Sequence, residues 1–277
     1  MKPRDARVLL TGATGGIGRA TAQALVQAGA CVMLVGRSPA RLSAQVRVLQ
    51  QVGTDTQVAW HAADLAHGDS LPAMAEAAAS WGCNVLVHNA GVPGFGRIEA
   101  LGPAEMAQVV QLNLLAPMQL TQALLPHLRA QPQARVVFVG SVLGRLGLPG
   151  YSVYSASKFG LRGFAEALRR ELGDTRIGVQ YLGPRSTRTQ FNTDAVDAYN
   201  LATGTAMDPP EVAAQALLQL LDSGAAERFI GFPESLAVRL NGLAPALLDG
   251  AFAKHRQSLP PPQPQLADSH RLRHGAP

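Results

Sequence analysis

The sequence predicts an α/β fold: a doubly wound parallel sheet of about seven strands with helices on both faces. Short, continuously apolar runs rich in Val, Leu and Ile alternate from end to end with segments of helical spacing. Strands without polar alternation are buried on both sides. Parallel neighbours then need crossover helices, which are right-handed and cover both faces. The length of 277 residues suits one such domain with extra segments.

The strands are RVLLTG, CVMLVG, QVAWHAAD, NVLVHNAG, RVVFVGS, IGVQYLGP and RFIGF. Between them TAQALVQAG, ARLSAQVRVLQQVG, SLPAMAEAAASWG, EMAQVVQLNLLAPMQLTQALLPHLRA, ASKFGLRGFAEALRRELG and PEVAAQALLQLLDSG repeat apolar residues at helical intervals, often closing on Gly. After Phe232 the pattern changes. Residues 233–257 read as one or two short amphipathic helices, with Leu236, Leu240, Leu243, Leu247, Ala251 and Phe252 apolar and Pro245 interrupting. Residues 258–277 are Pro-rich and polar and are expected to be disordered. The organisation is a domain over 1–232, an extension over 233–257 and a tail.

The chain is 47% hydrophobic and 16% charged, which excludes general disorder. Its formal charge of +5 is concentrated beyond residue 253, in Lys254, Arg256, Arg271 and Arg273 against Asp268. The body is therefore nearly neutral and no basic aromatic stripe is present, so no nucleic-acid partner is expected. Cys31 and Cys83 each open a buried strand and read as core thiols, not as a disulfide or metal site. No apolar stretch reaches the ~18–20 residues of a membrane span, and the N-terminus enters a strand directly. A cytoplasmic setting follows.

TGATGGIGRA follows the first strand. A strand, a glycine turn and a helix place N–H groups and a positive helix end where a pyrophosphate binds. Two glycine registers fit, Gly12/Gly15/Gly18 and Gly12/Gly16/Gly18. The strict G-x-G-x-x-G fingerprint is absent. The second strand ends Gly36-Arg37, without the acidic residue that would receive a ribose 2′-OH. A guanidinium there suits a 2′-phosphate, the other reading being a solvated Arg37. In YSASK, Tyr154 and Lys158 share a helix face at i, i+4. An ammonium beside a phenol stabilises phenolate and draws its pKa down from ~10. Ser141 ends the fifth strand, thirteen residues before Tyr154, where a hydroxyl can orient a carbonyl oxygen.

Over residues 5–232 the chain resembles the short-chain dehydrogenases/reductases, compact NAD(P)(H)-dependent oxidoreductases of Rossmann type. Their T-G-x-x-x-G-x-G matches Thr11 to Gly18, their adenine-contacting acid Asp64-Leu65, and their N-A-G Asn89-Ala90-Gly91. The resemblance implies a catalytic tetrad of Asn113, Ser141, Tyr154 and Lys158, in which Asn113 supports a water linking Lys158 to solvent. It also selects the Gly12/Gly16/Gly18 register, because enzymes with the other spacing are usually longer. The cofactor set it implies is Gly12, Thr14, Gly15, Gly16, Ile17, Gly18, Arg37, Asp64, Leu65, Asn89, Ala90, Gly91, Tyr154, Lys158, Pro184, Thr187 and Thr189. No metal is implied, and Arg37 favours NADP(H) over NAD(H).

Two residues depart from the pattern. His88 stands where the family has Asn, and is read as a packed variant rather than a new base. Arg185 stands where P-G-x-x-x-T has Gly, which puts the local backbone in question; Arg185 and Arg188 either contact an anion or are solvated. Residues 191–208 predict a small-residue lid loop. The extension either packs on its own domain, roofs an apolar pocket or rests on a membrane surface. The resemblance implies hydride transfer to a hydrophobic ketone. A 3-oxoacyl thioester leads, with Arg129, Arg169 and Arg170 available to an acidic acyl carrier protein. A lipid-like or steroid-like alcohol is the alternative, and an NADP-sensing or membrane-surface scaffold is the alternative of another class. A homodimer is expected.

Overall fold

The computed structural model describes residues 1–52 and 57–261, with Leu247 described by its backbone alone. Seven strands form one sheet in the order β3-β2-β1-β4-β5-β6-β7, every pair parallel. They are β1 Arg7–Thr11, β2 Cys31–Gly36, β3 Val58–Ala62, β4 Val85–His88, β5 Ala134–Val139, β6 Ile177–Gly183 and β7 Glu227–Phe229. Alternate residues of each strand face opposite sides. Leu9, Met33, Val35, Leu86 and Phe138 enter one core; Val8, Leu10, Val32, Leu34 and Val137 enter the other. This is why the strand sequences carry no polar alternation.

The helices are α1 Gly16–Gln27, α2 Pro39–Gln50, α3 Leu71–Ser80, α4 Pro103–Val110, α5 Ala116–Arg129, α6 Ser152–Glu171, α7 Asp194–Thr203, α8 Pro210–Ser223, α9 Glu234–Leu243 and α10 Ala253–Gln257. Strand order reverses between β1 and β4, the place where a doubly wound sheet leaves a ligand crevice. The Thr11 hydroxyl spans this crevice: it donates to Val87 O at 3.3 Å and accepts from Asn89 N at 2.9 Å and Ala90 N at 3.1 Å.

Three segments differ from the sequence-based expectation. The long helix predicted over residues 105–130 is divided by a π turn, Gln111–Leu115, which centres on Asn113; such turns concentrate at functional sites. The predicted lid loop contains α7. Thr193 caps it by accepting from Val196 N, Asp194 and Asp197 lie in its first turn, and Gly204 closes it at φ 73°. In the extension, Val238 is buried, and Ala237, Leu248 and Phe252 pack with it against Val142, Leu143 and Leu146. Leu236, Leu240 and Leu243 are exposed, so the α9 part of the predicted apolar face is turned outward while Phe252 packs inward. The start of the predicted tail is packed: Arg97 Nε donates to Pro260 O at 2.8 Å. Residues 262–277, the rest of that tail, lie outside the described residues. No described helix is long and apolar enough to cross a membrane.

Candidate active site

One cavity of about 830 Å³ runs along the carboxyl ends of the strands. All residues assigned to the cofactor from the sequence line it, as do Ser141, Tyr154 and Lys158. Asn113 stands behind the wall, fully buried.

At the glycine turn, Gly12 adopts φ +62°, and a Cβ there would stand 2.7 Å from Ala90 Cα. A Cβ on Gly16 would meet Thr189 Cγ2 at 2.3 Å, and one on Gly18 would meet Gly12 O at 2.2 Å. Gly15 is different, since its nearest neighbour would be Gly12 O at 3.4 Å, an ordinary contact. The turn therefore demands glycine at 12, 16 and 18. Asn89 Nδ2 braces it by donating to Thr11 O and Gly12 O, both at 3.1 Å. Gly15 gives α1 no side-chain cap, which leaves the first-turn N–H groups for an outside acceptor. A dinucleotide pyrophosphate fits this cradle. Asp64 and Leu65, after β3, lie on the same cavity.

Arg37, at the end of β2, is joined on the cavity wall by Arg41 of α2. Arg41 donates to Thr14 O at 3.1 Å, and neither guanidinium forms an ion pair among the described residues. Arg41 was not selected from the sequence: Arg37 precedes α2, so no helical offset relates the two, and the fold alone brings both to the cavity wall.

Tyr154 and Lys158 lie on the first turns of α6, with Lys158 Nζ 5.6 Å from the centre of the Tyr154 ring. Burial pushes the Tyr154 phenol above its ordinary value, the Tyr181 and Tyr151 phenols add to this, and the Ser141 hydroxyl opposes it. The lowering expected from Lys158 is not seen: burial, not the ammonium, sets the direction. Lys158 is itself held down to about 8 by burial and donates to Val139 O at 3.4 Å. Ser141 Oγ accepts from Leu143 N at 3.1 Å, which leaves its proton free to donate. The Ser141 backbone is fixed by Tyr181, whose hydroxyl accepts from Ser141 N at 3.1 Å and donates to Ser141 O at 3.0 Å. Asn113 Oδ1 accepts from Val92 N at 2.8 Å, and its Nδ2 donates to Val92 O and Ser157 Oγ. It thereby holds the chain just beyond Gly91.

His88 is buried, stacks on Phe138 at 4.9 Å and hydrogen-bonds Thr121 Oγ1 at 2.8 Å. Burial holds its pKa at about 3, so it is a neutral packing residue. Arg185 requires no left-handed backbone, because no non-glycine residue has positive φ among those described. Its guanidinium is bidentate to Asp208 at 2.9 and 2.6 Å and reaches Glu234 at 3.4 Å. Arg188 is exposed and does not line the cavity. Neither arginine is offered to an anion in the cavity.

Beyond Tyr154 the wall is apolar and aromatic. It includes Leu143, Leu146, Tyr151, Phe191, Tyr199 and, from the extension, Phe252 and His255. The sequence placed His255 in the extension that could roof a pocket but did not single out Tyr199, because an isolated aromatic residue carries no periodic signal.

Comparison with known proteins agrees with this geometry. The family model for short chain dehydrogenases matches residues 6–200. A Bos taurus protein, dehydrogenase/reductase SDR family member 7B, is 33% identical over 260 residues, covering 88% of this chain and 79% of its own. A short-chain dehydrogenase from Sphingobium yanoikuyae, solved in complex with NADPH, superposes with a TM-score of 0.75 at 25% identity, covering 95% of this chain and 99% of its own. One from Burkholderia phymatum in complex with NAD superposes with a TM-score of 0.79 at 22% identity, covering 89% and 96%. The chain belongs to the short-chain dehydrogenase/reductase family. It is an NAD(P)-dependent oxidoreductase acting between alcohols and carbonyl compounds.

Proposed function

We propose that this protein is an NADPH-dependent reductase of hydrophobic ketones. The observation that carries the reading is a phenol, a hydroxyl and an ammonium on one cavity wall, Tyr154, Ser141 and Lys158, between the glycine turn and an apolar, ring-lined chamber. When bound, the nicotinamide supplies the hydride. Ser141 donates a hydrogen bond to the substrate oxygen, and Tyr154 gives that oxygen its proton. Burial that favours the neutral phenol keeps Tyr154 a proton donor at neutral pH, which suits reduction. Lys158 holds the ribose hydroxyls and balances the phenolate left behind. Asn113 steadies the chain around Val92 and a water path to Lys158, while Thr187 and Thr189 meet the nicotinamide end. Arg37 and Arg41 without an acidic neighbour support NADP(H) over NAD(H).

A free ketone is favoured over a carrier-bound 3-oxoacyl thioester. Arg169 and Arg170 end α6 roughly 23 Å along its axis from Tyr154, and Arg170 is paired with Glu166 at 2.7 Å. Arg129 likewise ends α5, at the amino edge of the sheet. Exposed Val110, Leu115 and Phe159 on adjoining helices support a homodimer. Leu236, Leu240 and Leu243, exposed along one side of α9, and Phe232 just before it support peripheral contact with a membrane. Co-sedimentation with liposomes tests the second of these. The unpaired Cys31 and Cys83 accord with a cytoplasmic setting.

The decisive assay follows NADPH and NADH oxidation over a panel of aryl, steroid-like and 3-oxoacyl thioester ketones. Tyr154→Phe is expected to lower turnover at least about a thousandfold while NADPH binding stays within about threefold. Full turnover in that variant, or no oxidation with any ketone, would sink the reading and favour a cofactor-sensing scaffold.

A further inference from the structure

Ring by ring, the chamber wall leads away from Tyr154. Tyr151 is 6.1 Å from it, Tyr199 is 5.9 Å from Tyr151, His255 is 5.6 Å from Tyr199, and Phe252 is 5.7 Å from His255. Three of the chain's four tyrosines line this one cavity. Such walls suit a flat, ring-bearing ligand body. At the far end a polar pair interrupts the apolar surface. The Tyr199 hydroxyl is 3.1 Å from Pro149 O and 2.7 Å from His255 Nδ1.

A phenol has one proton. A carbonyl only accepts, so the bond to Pro149 O uses that proton. The second bond then forms only if His255 Nδ1 carries hydrogen and donates to the phenol oxygen. This tautomer makes both bonds, and the other makes one. Nε2 is then a bare lone pair on a residue that lines the cavity, and it makes no hydrogen bond among the described residues. Burial, aided by Lys254 next to it, holds the imidazole pKa below its ordinary value, so the lone pair persists at neutral pH.

We propose that the ketone taken by this site carries a hydroxyl on its ring-bearing body, remote from the reacting carbonyl, which donates a hydrogen bond to His255 Nε2. This inference rests on the ketone-reductase reading for the reaction but not for the binding. His255 is the specificity-determining residue, and Tyr199 is the positioning residue that fixes its tautomer. The partner is a donor, an alcohol or phenol O–H, and not an ether or a second carbonyl.

Matched aryl ketones bearing a distal hydroxyl, methoxy or hydrogen test the inference. In the full-length protein with NADPH, kcat/KM for the hydroxyl compound is expected to exceed that of the other two by about tenfold, one good hydrogen bond. The ratio should fall to about one in His255→Phe and recover in part in His255→Gln, whose amide oxygen accepts. Tyr199→Phe, which frees the imidazole tautomer, should lower the ratio by raising KM for the hydroxyl ketone with little change in kcat. Calorimetric binding of the corresponding ring compounds, with and without hydroxyl but lacking a reducible ketone, gives a readout independent of turnover. Hydroxyl-dependent binding that needs His255 upholds the subsite even if no ketone is reduced. Equal kcat/KM for the three ketones, a methoxy preference, or a hydroxyl preference that survives in His255→Phe would overturn it.

Discussion

Gly15 and Gly18 stand three residues apart in one turn and tolerate a methyl group differently. A Cβ on Gly18 meets the Gly12 carbonyl oxygen, backbone that cannot yield, whereas one on Gly15 rests at ordinary contact. Gly15→Ala should leave the NADPH dissociation constant within about threefold, and Gly18→Ala should raise it by about tenfold or more; a fluorescence titration separates the two. At the neighbouring strand end, His88 is neutral in the fold with a pKa of about 3. A base whose pKa is lowered by folding binds its proton better when unfolded, so stability falls as pH drops below ~6.5. The loss from this group approaches ~1.4 kcal/mol per pH unit until about pH 3. His88→Asn should flatten the acid limb of a Tm-versus-pH curve; an unchanged slope would show that His88 is not its source. Most site residues could be read from the sequence because fixed spacing reports them. Arg41, Tyr181 and Tyr199 could not, because their contacts form only in the fold.

Elements were legible where apolar periodicity dominates. The five inner strands follow from burial on two sides, which leaves its imprint on nearly every residue, whereas the edge strands β3 and β7 are only half-buried. The lid was read as a loop because α7 is rich in Ala, Asn and Asp, although Thr193 and Gly204 are cap residues at the correct interval. On α9 the periodic leucines Leu236, Leu240 and Leu243 are exposed, and the inward contact through the single Val238 had no periodic signal. Arg185 was set against a requirement for glycine that this backbone does not impose. Its role belongs to the element: with the Thr187–Asp208 bridge and the paired bonds Arg188 N to Asp208 O and Asp208 N to Ser186 O, it closes the neck of the lid. Arg185→Gly should cost about 1–3 kcal/mol, a fall of several degrees in Tm. It should raise the KM for ketone more than it lowers kcat. Unchanged melting and KM would remove the neck from this account.

On the scale of the molecule, the two ends of the cavity belong to different parts of the chain. The cofactor end is built by the loops after the first four strands together with Tyr154, Lys158, Pro184, Thr187 and Thr189, while the chamber takes its roof from the lid and the extension. Asn241 Nδ2 ties the extension to Arg145 O at 2.7 Å, and Lys254 Nζ ties it to Thr203 O at 3.2 Å. A chain ending at Phe232 should therefore bind NADPH within about threefold of the full chain, and should lose stability and affinity for bulky ketones. Burial of a side chain such as Val238 contributes about 1.5–3 kcal/mol. Equal ketone kinetics in the shortened chain would show that the roof has no part in recognition. The closed neck of the lid has a further meaning for how such a protein changes over time. Because residues 186 and 208 are bonded to each other, the stretch between them begins and ends at one point. Apart from Thr187 and Thr189, which line the cofactor end of the cavity, its length and sequence can drift without strain reaching the sheet. New substrate preferences can thus arise there as exchangeable modules, while the hydride-transfer machinery below is inherited unchanged.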